Sequence, residues 1–143
     1  MLVAQILKTK GDKVFTASPD DTLEASAALL FTRRVGAMVV VDARDDLVGI
    51  FSERDLVRAV AEEGTAALSK PVSAFMTRDV IFAHPHESVE ELLERMTDRR
   101  IRHLPVVEMG RLRGIISIGD LVKAKIAAAE AEAKDLKAYI AAG

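Results

Sequence analysis

Two short runs hold the residues best placed to do chemistry. Ser52-Glu53-Arg54-Asp55 and, 65 positions on, Ser117-Ile118-Gly119-Asp120 each put a hydroxyl three residues before a carboxylate. Each run follows a glycine and two apolar residues, Gly49-Ile50-Phe51 and Gly114-Ile115-Ile116, and leads into a helical apolar pattern, so each reads as a strand ending in a helix start. The backbone N–H groups of a helix N-terminus favour anionic oxygen, so a phosphate or a sugar could be held there. The same spacing is also a capping box, in which the serine hydroxyl satisfies the N–H of the third helical residue. For one copy alone a cap is the simplest reading, and the second copy in matching context shifts the reading toward a paired site.

The elements that must position these runs also come twice. Leu2, Val3, Ile6 and Leu7 suggest a short helical turn feeding a polar loop, Lys8 to Lys13. Val14 to Ala17 is a short strand candidate, and Ser18-Pro19-Asp20-Asp21-Thr22 supplies turn residues and a cap. Leu23 to Arg33 places Leu23, Ala27, Leu30 and Phe31 on one helical face. Gly36 ends that helix. Ala37 to Val41 is an apolar, β-branched run too short for a helix, and Leu47 to Phe51 is the next strand. Ser52 then caps a helix to about Ala61, and Glu62 to Lys70, with Pro71 after it, reads as a connector.

The order then begins again. Val80 to Ala83 matches Val14 to Ala17, Val89 to Arg99 matches the first helix, and Leu104 to Val107 matches Met38 to Val41. The offset is 66 residues up to that strand and 65 after it, because the loop Glu108-Met109-Gly110-Arg111 is one residue shorter than its counterpart. We divide the chain into repeat 1 (1–62), a linker (63–70), repeat 2 (71–125) and a helical tail (126–143). A repeat of this size is marginal alone, so the two are expected to pack as one unit. In the tail, Val122, Ile126, Ala129, Ala133, Leu136 and Ile140 alternate steps of four and three, a heptad seam, with Glu130 and Lys134 as an i,i+4 pair. The seam leaves open whether the tail packs on its own chain or on a partner subunit.

Composition narrows the function. The chain has 143 residues, half of them apolar, and a net charge of −2, without the basic face that nucleic acid needs. There is no cysteine, which removes disulfides, thiolate metal sites and cysteine nucleophiles. No secretory signal and no run of about 18 apolar residues is present, so the expectation is a cytoplasmic protein away from the membrane. His84-Pro85-His86 lacks a third ligand for zinc, and Asp42, Asp45 and Asp46 lack the glycine and terminal glutamate of an EF-hand. No nucleophile is paired with a recognisable base, so an enzyme is not expected.

The doubled Gly-apolar-apolar-Ser-x-x-Asp motif, with Arg100-Ile101-Arg102-His103-Leu104-Pro105-Val106-Val107 in the second copy, resembles a pair of cystathionine β-synthase (CBS) domains, a Bateman module. The resemblance runs from about Leu2 to Lys125. It implies an α+β fold of two β-α-β-β-α repeats packed sheet to sheet about a pseudo-twofold axis, here with a C-terminal helical extension. It also implies a homodimer that binds AMP, ATP, NAD, S-adenosylmethionine or another adenosine-containing ligand as a regulator rather than a catalytic cofactor, and signals to a downstream protein. The rival is an interaction module with empty clefts, in which the doubled motif is only capping.

By the same resemblance, each aspartate holds ribose hydroxyls and each serine contacts phosphate or ribose, and each cleft is completed by the other repeat. One cleft would then comprise Ser52, Arg54, Asp55, Val80, Ile81, Arg102, His103 and Pro105. The other would comprise Ser117, Asp120, Val14, Phe15, Gly36, Ala37, Met38 and Val39, with core packing the leading role for Phe15 and Met38. Gly36 and Ala37 stand opposite Arg102 and His103 in the repeat alignment, and Gly119 opposite Arg54. The second cleft is therefore expected to offer almost no positive charge, and the first to take the phosphorylated ligand more tightly. Pro105, which cannot donate to a ladder, is expected at an edge or a strand start.

Overall fold

The computed structural model describes residues 1–11 and 14–142. The elements are α1 (Val3–Lys10), β1 (Thr16–Ala17), α2 (Leu23–Arg33), β2 (Ala37–Val41), β3 (Leu47–Ser52), α3 (Glu53–Glu63), α4 (Val89–Arg99), β4 (His103–Glu108), β5 (Arg111–Ser117) and α5 (Ile118–Ala142), with 3₁₀ turns at Gly64–Ser69 and Val72–Ala74. The expected polar loop begins late, because α1 runs on through Lys10; Asp12 and Lys13, its last two residues, lie outside the described set, as does Gly143.

The chain divides into two compact units, and the division does not follow the repeats. Of the described residues, one unit spans 14–81, and the other joins 1–11 to 82–142. In the former, β1 pairs parallel with β2, and β2 pairs antiparallel with β3. Its core is Leu23, Leu30, Met38, Val40, Phe51, Ala59, Val72 and their neighbours. In the latter, β4 and β5 form an antiparallel pair, and Val3, Val89, Leu92, Met96, Leu104, Val106, Ile116 and Leu121 are buried.

The repetition extends to backbone detail. Thr22 and Ser88 cap α2 and α4 by accepting from Ala25 N–H and Glu91 N–H, and Arg34 and Arg100 end those helices in the same left-handed conformation, φ 54° and ψ 44°. Register shifts fall at Val40/Val41 and at Val106/Val107.

One expected strand fails to form. Val80 to Ala83 is no strand; only Ala83 bridges to the sheet, its N–H donating to Pro105 O at 2.9 Å and its carbonyl accepting from Val107 N–H at 3.0 Å. Pro105 stands where repeat 1 has Val39, which pairs with Thr16. A strand residue points its N–H and C=O to the same side, so the missing N–H of Pro105 removes the bond that would lengthen this ladder. Pro105 is the third residue of β4, paired with Ile115 on its other side, and β4 is an edge of its two-stranded sheet, the edge position expected for this proline.

Each unit is completed by a short arm. Residues 70–77 serve the contiguous unit: Leu23 N–H donates to Lys70 O, Val72 N–H to Asp21 O and Ser73 N–H to Pro19 O. Residues 1–10 do the same in the other unit, where Val89 N–H donates to Met1 O, Val3 N–H to Glu87 O and Ala4 N–H to Pro85 O. The arms then cross the glycine of the central motif. A Cβ on Gly49 would lie 2.8 Å from Met76 Sδ and 2.9 Å from Thr77 O, and one on Gly114 would lie 2.6 Å from Leu7 Cδ2. At Gly49 part of the obstruction is backbone, which cannot swing aside, whereas Leu7 can rotate. Gly49→Ala is expected to cost about 1–3 kcal/mol, as overpacking does, and more than Gly114→Ala. Urea unfolding of the two variants checks this, and equal losses would contradict the arm-docking account.

Candidate functional site

Both Ser-x-x-Asp runs sit at a strand-to-helix corner, as their spacing requires. β3 ends at Ser52 and α3 begins at Glu53; β5 ends at Ser117 and α5 begins at Ile118. At the first corner Asp55 Oδ2 accepts from Ser52 N–H at 2.9 Å and from Ser52 Oγ–H at 3.0 Å, while Ser52 Oγ accepts from Asp55 N–H at 3.3 Å. At the second, Asp120 Oδ2 accepts from Ser117 N–H at 2.9 Å and Ser117 Oγ accepts from Asp120 N–H at 3.1 Å. Each corner is also tied to the approach of the neighbouring strand. Glu53 N–H donates to Gly36 O at 3.0 Å, and Ile118 N–H donates to Arg102 O at 2.8 Å. The capping box is thus physically present in both copies, with the carboxylate and the first helical N–H groups gathered at one point.

The corners differ in what surrounds the carboxylate. Asp55 is 5% exposed, and its Oδ1 lies 3.3 Å from Arg58 Nη2 and 3.4 Å from Thr77 Oγ1. Asp120 is half-buried, and its Oδ2 receives Lys10 Nζ at 2.6 Å; the same ammonium donates to Ile115 O at 2.9 Å. Burial pushes the Asp120 carboxyl up, but the Lys10 ammonium and the Ser117 N–H outweigh it and hold the group below the ordinary aspartate range.

Within the contiguous unit, Ser52, Arg54, Asp55, Val80 and Ile81 accompany Gly36, Ala37, Met38, Val39, Val14 and Phe15. Ala37 is the register partner of Ser52, Arg54 is exposed, and Val80 and Ile81 are half-buried. Met38 and Val39 are fully buried and Phe15 packs on the core, the packing role expected for Phe15 and Met38. In the other unit, Arg102, His103 and Pro105 accompany Ser117 and Asp120: His103 is the register partner of Ser117, Arg102 is exposed and Pro105 is buried.

Several groups escaped the sequence reading. Arg58 was legible, since a residue three positions after Asp55 on a helix shares its face. Thr77 and Lys10 were not, because they arrive on the arms from 22 and 110 residues away. Arg33 lies with its guanidinium carbon 4.8 Å from the centroid of the Phe15 ring, a cation–π contact. The residues assigned to the weakly charged cleft therefore carry two cations that alignment of the repeats overlooked, one on Asp120 and one on Phe15. His84 and His86 have ring centroids 5.1 Å apart, and His86 N–H donates to His84 Nδ1 at 3.2 Å. Among the described residues no group of three or more His, Cys, Asp and Glu is arranged to hold a metal ion, and no helix is long and apolar enough to cross a membrane.

The CBS domain family matches residues 3–62 and 72–127. The chain is 33% identical over 149 aligned residues to the mitochondrial CBS domain-containing protein CBSX3 of Arabidopsis thaliana, covering 99% of this chain and 72% of that protein. Among solved structures, a CBS-domain containing protein from Agrobacterium tumefaciens superposes with a TM-score of 0.85 at 47% identity, over 87% of this chain and 92% of the other. The CBS domain pair of protein MJ0100, crystallised with 5′-methylthioadenosine and S-adenosyl-L-methionine, superposes with a TM-score of 0.77 at 29% identity, over 87% and 94%. With two matched copies, two strand-to-helix corners of the same build and mixed α and β elements throughout, this chain belongs to the CBS-domain family, as a tandem pair of the Bateman type.

Proposed function

We propose that the protein is a non-catalytic sensor: it binds AMP, ATP, NAD or another adenosine-containing molecule, acts as a homodimer, and passes binding to a downstream protein as a change of shape. The observation that carries this reading is the corner built twice, each time with an aspartate carboxylate in the first turn of a helix bonded to the N–H of the serine where the strand ends. Such a carboxylate can accept the two hydroxyls of a ribose, while the adjoining N–H groups favour phosphate oxygen. The adenosine-type ligands crystallised with the MJ0100 pair support the ligand class. Asp55 and Asp120 take the ribose, Ser52 and Ser117 assist, and Arg54, Arg102 and His103 read phosphate. A ligand moves such a module only through unequal affinity for its two arrangements.

Lys10 modifies the proposal for Asp120. Its ammonium sits on Oδ2, so a ribose diol that takes both carboxylate oxygens competes with that ion pair, while a phosphorylated ligand can take the ammonium as its own partner. The rival reading, an interaction module with empty clefts, draws on the same caps, in which serine and aspartate satisfy one another. No thermal shift with AMP, ATP, NAD or S-adenosylmethionine would favour the rival.

Two calorimetric titrations test the charge assignments. Arg102→Ala is expected to weaken AMP about tenfold or more, the scale of a charge-assisted bond, with adenosine little changed; unchanged AMP affinity sinks the role of Arg102. Lys10→Ala is expected to strengthen adenosine and to narrow the preference for AMP. If adenosine binds no better to that variant, Lys10 does not compete for Asp120.

A further inference from the structure

Among the described residues, none covers the outer part of α5. Lys125 still reaches Glu90 at 2.8 Å, but every residue of the helix beyond it, Ile126 to Ala142, is exposed. At 1.5 Å per residue that is about 25 Å of helix. Its large apolar side chains fall on one stripe: Ile126 is 54% exposed, Leu136 59% and Ile140 69%, in line with Val122 at 45%. With Ala129 and Ala133 they occupy the alternating first and fourth places of a heptad. The opposite side carries Ala127, Ala128, Ala131, Lys134, Asp135 and Ala138, none of them large and apolar. Helices of this kind draw their stability from packing a face rather than from propensity.

The flanking charges say what covers the stripe. Lys123, Glu130 and Lys137 line one flank, and Lys125, Glu132 and Tyr139 the other. In a parallel, in-register pair each flank residue meets the opposite flank five places on, so Glu132 meets Lys137 of a second copy and Lys125, shared with Glu90, faces its Glu130, each attraction occurring twice. In an antiparallel pair with the same seam, Lys123 would meet Lys137, Glu130 would meet Glu130 and Glu132 would meet Glu132, all repulsive. The two signs are mixed along the helix, with no basic face to seat an anionic membrane. We infer that this stripe is a docking surface for a second copy of the chain, forming a short parallel two-stranded coil. The small Ala129 and Ala133 layers let the backbones approach at its centre.

The chain lacks cysteine, so an introduced thiol is unique. Ala133→Cys places it on the seam, and Ala131→Cys on the far side of the same helix. Mild oxidation of the full-length protein, read on a non-reducing gel, is expected to cross-link Ala133→Cys quickly and Ala131→Cys hardly at all. Adding Leu136→Glu and Ile140→Glu to Ala133→Cys should abolish the cross-link while leaving the thermal melt of the two compact units in place. Equal rates at the two positions, no cross-link at Ala133→Cys, or one formed only when Ala133→Cys is mixed with Ala129→Cys, would overturn the parallel pairing. The readout needs no nucleotide, so it stands or falls apart from the proposed ligand.

Discussion

The reach of a carboxylate back to the amide three residues before it is the interaction on which the rest depends. Asp55 to Ser52 N–H and Asp120 to Ser117 N–H, both at 2.9 Å, turn a strand into a helix with no intervening loop. Because the next N–H along is bonded to the neighbouring strand, the corner also fixes where a hairpin stands against its helix. A cap of this kind contributes about 1 kcal/mol, and its larger effect is geometric. It sets the direction in which α3 and α5 leave the sheet, and with it which faces bury Ala59 and Leu121. On the proposed function, the polar groups that make the corner are those that a bound nucleotide would need, so stability and recognition would draw on one set of atoms.

The two copies use this corner in different electrostatic settings. Asp55 is sealed among neutral and cationic side chains of its own unit, whereas Asp120 stays partly open to water and leans on the flexible Lys10. A lysine side chain is long and loses rotamer freedom when held, so its grip is easier to exchange than that of a buried network. The asymmetry does not come from the aligned residues of the repeats. It comes from the arms, whose sequences are unrelated: Leu7 and Lys10 on one, Met76 and Thr77 on the other.

What could be read in the sequence followed from local physics. α2, β2 and β3 lie within a residue of their expected spans, because apolar period, caps and glycine act over a few residues. The resemblance to CBS pairs rested on the same local motifs and is shown by the comparisons. The missing strand before β4 was half legible: Pro105 announced an irregularity, but its position inside β4 depended on which side of the strand its absent N–H would face. The arms were not legible, since no periodicity links Leu7 to Gly114 or Lys10 to Asp120; only the unexplained glycine at the centre of each motif hinted that something passes close by.

The placement of the arms sets an order of events during synthesis. The contiguous unit holds its arm at its own C-terminal end, so it can close as soon as residue 81 is free of the ribosome. The other unit joins an arm made early to β5, which is made much later, and Leu7 must wait for Gly114. Until then an apolar arm is on offer with its docking groove untranslated. The chain meets this hazard with a short arm and with lysines at positions 8 and 10.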